Sequence, residues 1–477
     1  MKDMKVLNVD GKLIGWGTLL WAVGIILLAG CVGKPTRSET QARRQIGAVR
    51  QVFRPGDARP KLPELSVNSS LGDFLRYAML NQPRVEAAYY DWAAAVERVT
   101  VERSLPDPRL TFESDIAKVL MSVMPGLMMD FPGPGKLKAR ADLAAAEGRA
   151  QYFAFETAAL QTAFEVKRAY YQLYFLADKI RIARETQKLL EDLESQARRQ
   201  NEFGKATLQD VLRAQIELER MTKEIASLED SRRPLLAQLK AALGLAATEP
   251  DPPAPARFET TPLDLLSADR LFAEALARNP RLKAMAEEVR MAEAGIVMAR
   301  KSRVPDFSLG LEADAWAAPT VFRPAAGMTL PVWKDKIAAD IAASQARRRA
   351  AEARLSGEQI YLAVEFADRL FQFREATRDL NLMTDRLIPK ANMALEIARA
   401  NYLNAKIDYF NLSDAQKTLL EFQMAEVEAR TRRELALTEL SLLILGQPPA
   451  GAPFLPDLDL SVPDPKSPES KARNPKP

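Results

Sequence analysis

One pattern occurs twice in this chain. From Leu71 it reads LGDFLRYAMLNQPRVEAAYY and from Ala268 it reads ADRLFAEALARNPRLKAMAE, so Ala78, Pro83, Arg84 and Ala87 return as Ala275, Pro280, Arg281 and Ala284, an offset of 197. The echo runs on. Pro106-Asp107 returns as Pro305-Asp306, Leu110 and Glu113 as Leu309 and Glu312, Pro132 as Pro331, Asp142 as Asp340, and Gln215 as Gln416. The offset stays between 197 and 201 throughout. A repeat of about 175 residues far exceeds the period of a solenoid. It predicts two halves that each build the same structure.

Several functions are disfavoured by composition. Of the residues 27% are charged, yet the net charge is only +4, with Lys and Arg interleaved among Asp and Glu. That is not a nucleic-acid surface. Histidine is absent, which removes the commonest general base and transition-metal ligand. A single cysteine, Cys31, rules out internal disulfides and cysteine-cluster metal sites.

Cys31 closes a recognisable segment. Lys2, Lys5 and Lys12 precede an apolar stretch from about Ile14 to Ala29, ending Leu28-Ala29-Gly30-Cys31. A charged start, a short apolar core and small residues before a cleavage point describe a secretory signal. Leu-Ala-Gly-Cys has the form of a bacterial lipobox, in which Cys31 is lipidated and becomes the mature N-terminus. The alternative, a plain anchor helix, is less favoured because the core is shorter than the ~20 residues of a membrane span. Asp3 and Asp10 make Met4 an alternative start. Val32 stands where an inner-membrane lipoprotein commonly has aspartate, which favours the outer membrane.

Residues 31–70 then read as an extended, lipidated tether. The first repeat follows over 71–246, a Pro-rich linker over 247–267, the second repeat over 268–446, and a Pro-rich disordered tail over 447–477. Each repeat opens with helical spacing, in the first from Leu71 to about Leu105 through Leu75, Ala78, Met79, Val85, Ala88 and Val96. Pro-Asp-Pro at 106–108 breaks it. Period-2 runs come next: Leu110–Ile116 and Leu127–Phe131 in one half, Phe307–Asp314 and Met328–Val332 in the other. Each run sets aliphatic or aromatic residues on one face against acids, Ser, Thr and Gly on the other.

A soluble sandwich would bury the apolar face, but no second sheet is available to cover it. A closed barrel tolerates an apolar exterior around a polar lumen. Four strands enclose no useful lumen, so a barrel needs several chains. Long helix pairs follow the strands. Proline is absent from 135 to 233 and strong helix formers dominate, predicting a helix from about Lys138 to Asn201. Gly204 and Thr207, with Asp210 three residues on, mark a turn, and the chain returns to about Leu245. The second half runs from about Ile337 to Asn401, turns near Leu403–Lys406 and returns to Leu445; Pro389 predicts a kink in its outgoing arm.

No catalytic constellation emerges. Phe131-Pro132-Gly133-Pro134-Gly135-Lys136 lacks the leading glycine and the Ser or Thr of a phosphate loop, and reads better as a strand-to-helix turn. Met121, Met124, Met128 and Met129 suit a soft metal or, more commonly, adaptable apolar surface.

Taken together, these residues resemble the TolC-type outer membrane efflux proteins over about Leu71 to Gly446. The resemblance is carried by Gln82-Pro83-Arg84 and Asn279-Pro280-Arg281, and by the Pro-Asp strand openings. Met328-Thr329-Leu330-Pro331-Val332-Trp333 before a helix and the Gly204-x-x-Thr207-x-x-Asp210-Val211-Leu212-x-Ala214 turn add to it. Phe131–Leu137 is similar to the lipoprotein branch of heavy-metal, RND-type systems. Asn404 departs from the glycine usual at the second turn.

The resemblance implies a mainly α, TolC-like fold with a small β part, and a homotrimer. Three chains would pool a 12-stranded barrel and a 12-helix periplasmic tunnel. It implies an outer-membrane exit duct, with no enzyme activity and no cofactor or metal. Expected partners are outer-membrane lipid, a periplasmic membrane fusion adaptor and an inner-membrane RND-type pump. The turns at Gly204, Thr207, Asp210 and Asn404 would dock the adaptor. Asp408, Tyr409 and Asp414, with Phe410, would narrow the mouth; the plain alternative makes Asp408 an N-cap and Asp414 a solvated carboxylate. The rival overall reading is a periplasm-spanning scaffold lipoprotein without a pore, which has no use for amphipathic strand pairs. Cargo, pump and adaptor are not written in this chain.

Overall fold

A computed structural model describes residues 35–116, 120–260, 268–314, 321–404 and 406–449. The signal segment, Cys31, most of the tail and part of the linker lie outside them. Two compact units are present. Among the described residues, one gathers those within 35–47, 87–155 and 280–361, the other those within 48–86, 156–279 and 362–449.

The expected tether contains a helix, α1 (Arg37–Phe53). Its polar composition concealed what holds it. In the first unit Glu39, fully buried, receives the guanidinium groups of Arg103 at 2.9 Å and Arg43 at 3.2 Å. Arg43 also reaches Glu97 through two nitrogens, at 3.0 and 2.9 Å. Charge pairs fix the first part of this helix, while Val49 and Phe53 are buried apolar anchors at its end.

The expected helix from Leu71 to Leu105 is two, α2 (Leu71–Asn81) and α3 (Pro83–Arg103). Gln82 between them is extended, at φ −69°, ψ 120°, because the Pro83 ring disfavours helical geometry in its predecessor. Ser70 and Asp73 form a capping box at the start of α2. The core of α3 in the first unit is aromatic: Trp92 stacks on Phe155 and meets Tyr89 and Tyr152 edge-on.

Strands β1 (Arg109–Ile116), β2 (Leu120–Phe131), β3 (Phe307–Asp314) and β4 (Val321–Met328) form one antiparallel sheet in the order β1-β2-β3-β4. The two repeats therefore meet at the β2–β3 pairing, with Leu127 opposite Leu311 and Met129 opposite Leu309. β4 differs from expectation. Only Met328 of the predicted Met328–Val332 run is in the strand, which lies upstream. Phe131–Lys136 is the strand-to-helix turn, with Gly135 at φ 80°.

The helical arms are as long as expected. α4 (Lys136–Glu202) spans 67 residues and α5 (Leu208–Ala242) returns from it. α6 (Ala268–Arg278) and α7 (Pro280–Lys301) repeat α2 and α3. α8 (Lys334–Leu382), α9 (Ile388–Leu403) and α10 (Tyr409–Glu439) form the second hairpin. Pro389 is absorbed by one π turn, Met383–Leu387, in which the Ile388 N–H donates to the Met383 carbonyl; widening the helix there accommodates the proline. Among the described helices none is long and apolar enough to cross a membrane.

The linker is not free chain where it is described. Tyr170 Oη donates to the Arg257 carbonyl at 2.6 Å, Tyr171 Oη to that of Glu259 at 2.7 Å, and Phe258 packs on Tyr174 and Phe175.

Candidate functional site

Two regions carry the sequence expectations, one in each unit. In the first unit strand register sorts side chains cleanly. Leu110 and Phe112 of β1, Leu127 and Pro125 of β2, Leu309 and Leu311 of β3, and Pro324 and Ala326 of β4 are cross-strand partners on one face. The large ones are open: Leu110 is 66% exposed, Phe112 67% and Leu309 55%. The opposite face carries Thr111, Asp130, Ser308, Glu312, Asp314 and Arg323. Glu312 and Asp314 are buried there, and Arg323 pairs with Asp314 at 3.5 Å. This face is crowded, since a Cβ on Gly126 would stand 2.5 Å from Glu312 Cγ and 2.6 Å from Thr111 Oγ1. An exposed apolar face backed by a polar one in which Glu312 and Asp314 are buried is the reverse of a soluble sheet. Met124 and Met128 lie on the polar face and Met129 on the apolar one, so the methionines do not converge; the Met121 side chain lies outside the described residues.

Asp306, at the entry to β3, ties this region together. Its carboxylate accepts from the Gly133 N–H and from Lys136 Nζ, both at 2.7 Å. Burial alone would raise its carboxyl, but Lys136 and Gly133 outweigh that and hold it below the usual aspartate range.

In the second unit lie the hairpin turns. Gly204 takes φ +71° with open space where a Cβ would be. Thr207 and Asp210 close a capping box: Asp210 N–H donates to Thr207 Oγ1 at 3.2 Å and Thr207 N–H to Asp210 Oδ2 at 3.0 Å. The second turn is built differently. Asn404 has φ −89°, so no left-handed residue is needed, and its Nδ2 donates to the Ala400 carbonyl at 2.8 Å. Asp408 caps α10, accepting from the Asn411 N–H at 3.1 Å and its Nδ2 at 2.6 Å.

The expected apolar constriction is only half present on the surface. Phe410 is exposed, with the Arg213 guanidinium 5.8 Å from its ring centroid, and Asp414 is exposed as well. Tyr409 is fully buried, edge-on to Tyr402 in the apolar seam with Leu190, Val211, Leu395 and Leu412. It is core, since its ring follows the cap directly and turns inward. Burial pushes the Tyr409 phenol well up, and nearby Glu217, Tyr402, Asp210 and Glu194 add to this. Lys417 Nζ meets Glu217 at 2.8 Å, and Gln200 Nε2 reaches the Tyr402 carbonyl at 3.4 Å.

Sequence reasoning read the Gln82 and Asn279 motifs as repeat markers and missed their work. Gln82 Nε2 donates to the carbonyls of Ala241 and Ala242 at 2.9 and 3.1 Å. Asn279 Nδ2 does the same to Leu443 and Ile444, both at 3.0 Å. Each repeat thus uses the amide before its proline to satisfy the end of its own returning arm. The signal was available: a donor amide at the same place in both copies.

Comparison with known proteins places these features. The chain matches the family described as outer membrane efflux protein over residues 75–245 and 271–446. No curated protein sequence matches it. Among solved structures, the outer membrane protein VceC from Vibrio cholerae superposes with TM-score 0.66 at 18% identity, covering 79% of this chain and 96% of that one. CusC gives TM-score 0.69 at 16% identity, covering 82% and 98%. The open-state MtrE outer membrane channel of Neisseria gonorrhoeae gives 0.66 at 16%, covering 81% and 97%.

Proposed function

Since this chain belongs to the outer membrane efflux protein family, we propose that three copies form a passive exit duct in the outer membrane. Their sheets close into a 12-stranded barrel and their hairpins into a periplasmic tunnel. The duct takes cargo from a periplasmic adaptor and an inner-membrane RND-type pump. Lipidation at Cys31 adds an anchor in the inner leaflet of the same membrane. The turns at Gly204–Asp210 and Asn404 dock the adaptor, and exposed Asp414 contributes to an acidic mouth; Asp408 is occupied as a cap.

One observation carries this reading: the sheet exposes Leu309 and Leu311 while burying Glu312 and Asp314. With β1 and β4 as its two edges, the sheet joins further copies and meets lipid with its apolar side. A scaffold rod without a pore leaves that face unexplained. The test is insertion. An arginine on the lipid face costs about 2–4 kcal/mol at mid-membrane, so Leu309→Arg should impair membrane assembly of the trimer far more than Glu312→Arg. Equal assembly of both variants, or a crosslinked mass in detergent short of three chains, overturns the proposal.

A further inference from the structure

The repeats diverge where strand gives way to long helix. In the first, Phe131 and Pro132 are half-buried and Gly133 lies so close to Pro305 that a Cβ would stand 2.3 Å from its carbonyl oxygen. Lys136 there is turned onto Asp306. In the second, the corresponding stretch stays open. Leu330 is 65% exposed, Val332 61% and Trp333 74%, and exposed Lys334, Asp335 and Lys336 follow. Neither lysine side chain has an ion pair among the described residues.

Resting on the outer-membrane reading above, we infer that Leu330, Val332 and Trp333 form an interfacial anchor at the periplasmic edge of the bilayer. Lys334 and Lys336 then lie at the level of the phospholipid phosphates. Continuity identifies the occupant. Met328 pairs with Phe307 on the sheet's apolar face, and Leu330 keeps its parity. The segment remains tied to the sheet, since the Thr329 N–H donates to the Asp306 carbonyl at 2.9 Å and Thr329 Oγ1 accepts from the Asp306 N–H at 2.7 Å. Two tight turns then hold it, Val332 N–H to the Leu330 carbonyl at 2.8 Å and Lys334 N–H to the Val332 carbonyl at 3.0 Å.

The apolar stretch that continues from this face therefore ends in an exposed tryptophan followed by cations. An indole has an apolar body and an N–H for the headgroup region, and a lysine stem lies along apolar surface while its ammonium reaches phosphate. The first repeat offers no such set, so the anchor occurs once per chain.

Tryptophan fluorescence of the full protein in phospholipid vesicles tests this. The Trp333 signal is the difference between wild type and Trp333→Phe. Lipids brominated near the headgroup should quench it about twofold more than lipids brominated near the chain ends, with little quenching by aqueous iodide. Quenching by iodide but not by lipid would put Trp333 in water. Quenching by neither would put it against a neighbouring copy. Either result overturns the inference. Leu309→Trp separates the two proposals, because chain-end bromines should quench it if the sheet lies in the bilayer. If they do and Trp333 fails, only the anchor falls; if they do not, the barrel reading falls as well.

Discussion

At the scale of single residues, the two hairpin turns differ in sequence, Gly204 in one and Asn404 in the other, and make different demands. Gly204 sits at φ +71° with nothing within 4 Å of an added Cβ, so a side chain there meets strain and no clash. Left-handed geometry costs a bulky residue roughly 1–2 kcal/mol, small for a trimer of this size. Gly204→Val should therefore leave the assembly folded while lowering efflux, if this turn docks the adaptor. Asn404→Leu, at φ −89°, should disturb the backbone less. Cell-based efflux assays with a crosslinking check of the trimer read both, and unchanged efflux in Gly204→Val would move the dock elsewhere.

Lys167 makes a different residue-level prediction. It is 4% exposed, and burial lowers its ammonium to about 8 against opposition from Glu434. The folded state thus releases this proton before the unfolded chain does, so stability should rise as pH increases from about 8 to about 10. Lys167→Met lacks that proton. Chemical denaturation of both proteins should show wild type gaining on the variant across this window; a constant difference would contradict the assignment.

At the scale of elements, the repeat is held by small polar devices. Asn279, fully buried, donates to two carbonyls at the end of the second return arm. Removing a buried donor leaves its partners unsatisfied at about 1–3 kcal/mol. Asn279→Ala should lower the unfolding midpoint of the helical unit, and a midpoint equal to wild type would show that water replaces the amide. Legibility also divides by element. The first long arm was readable because helix formers run without proline from 135 to 233, and β3 because Leu309 and Leu311 alternate with Gly310 and Glu312. β4 was not: outward Phe322, Pro324 and Ala326 alternate with inward Val321, Arg323, Ala325 and Gly327, so small residues erase the contrast. α1 was missed because buried charges such as Glu39, which composition scores as solvent-loving, dilute the apolar signal of its buried Val49 and Phe53. The turn residues were legible as turns. That Tyr409 is core was not, because a tyrosine after a cap reads the same whether it faces in or out.

At the scale of the whole molecule, four strands with two open edges and an exposed apolar face are incomplete alone. The proposed trimer would resolve both defects at once. The proposed lipidation would be a separate attachment, and Cys31→Ser should leave an uncleaved or mislocalised precursor and abolish lipid labelling. Normal processing of that variant would refute the lipobox. Barrel burial alone should still hold some of the variant in the membrane.

Conduction is the property the proposed architecture would serve, and planar-bilayer recording of the purified assembly measures it directly. The predicted result is discrete current steps of uniform size, selective for cations and blocked by multivalent ones, with Asp414→Ala weakening selectivity and block but keeping the steps. Three Asp414 carboxylates around the axis of the proposed trimer would attract cations in this way. Bilayers that demonstrably contain the folded trimer yet pass no discrete current would contradict the channel.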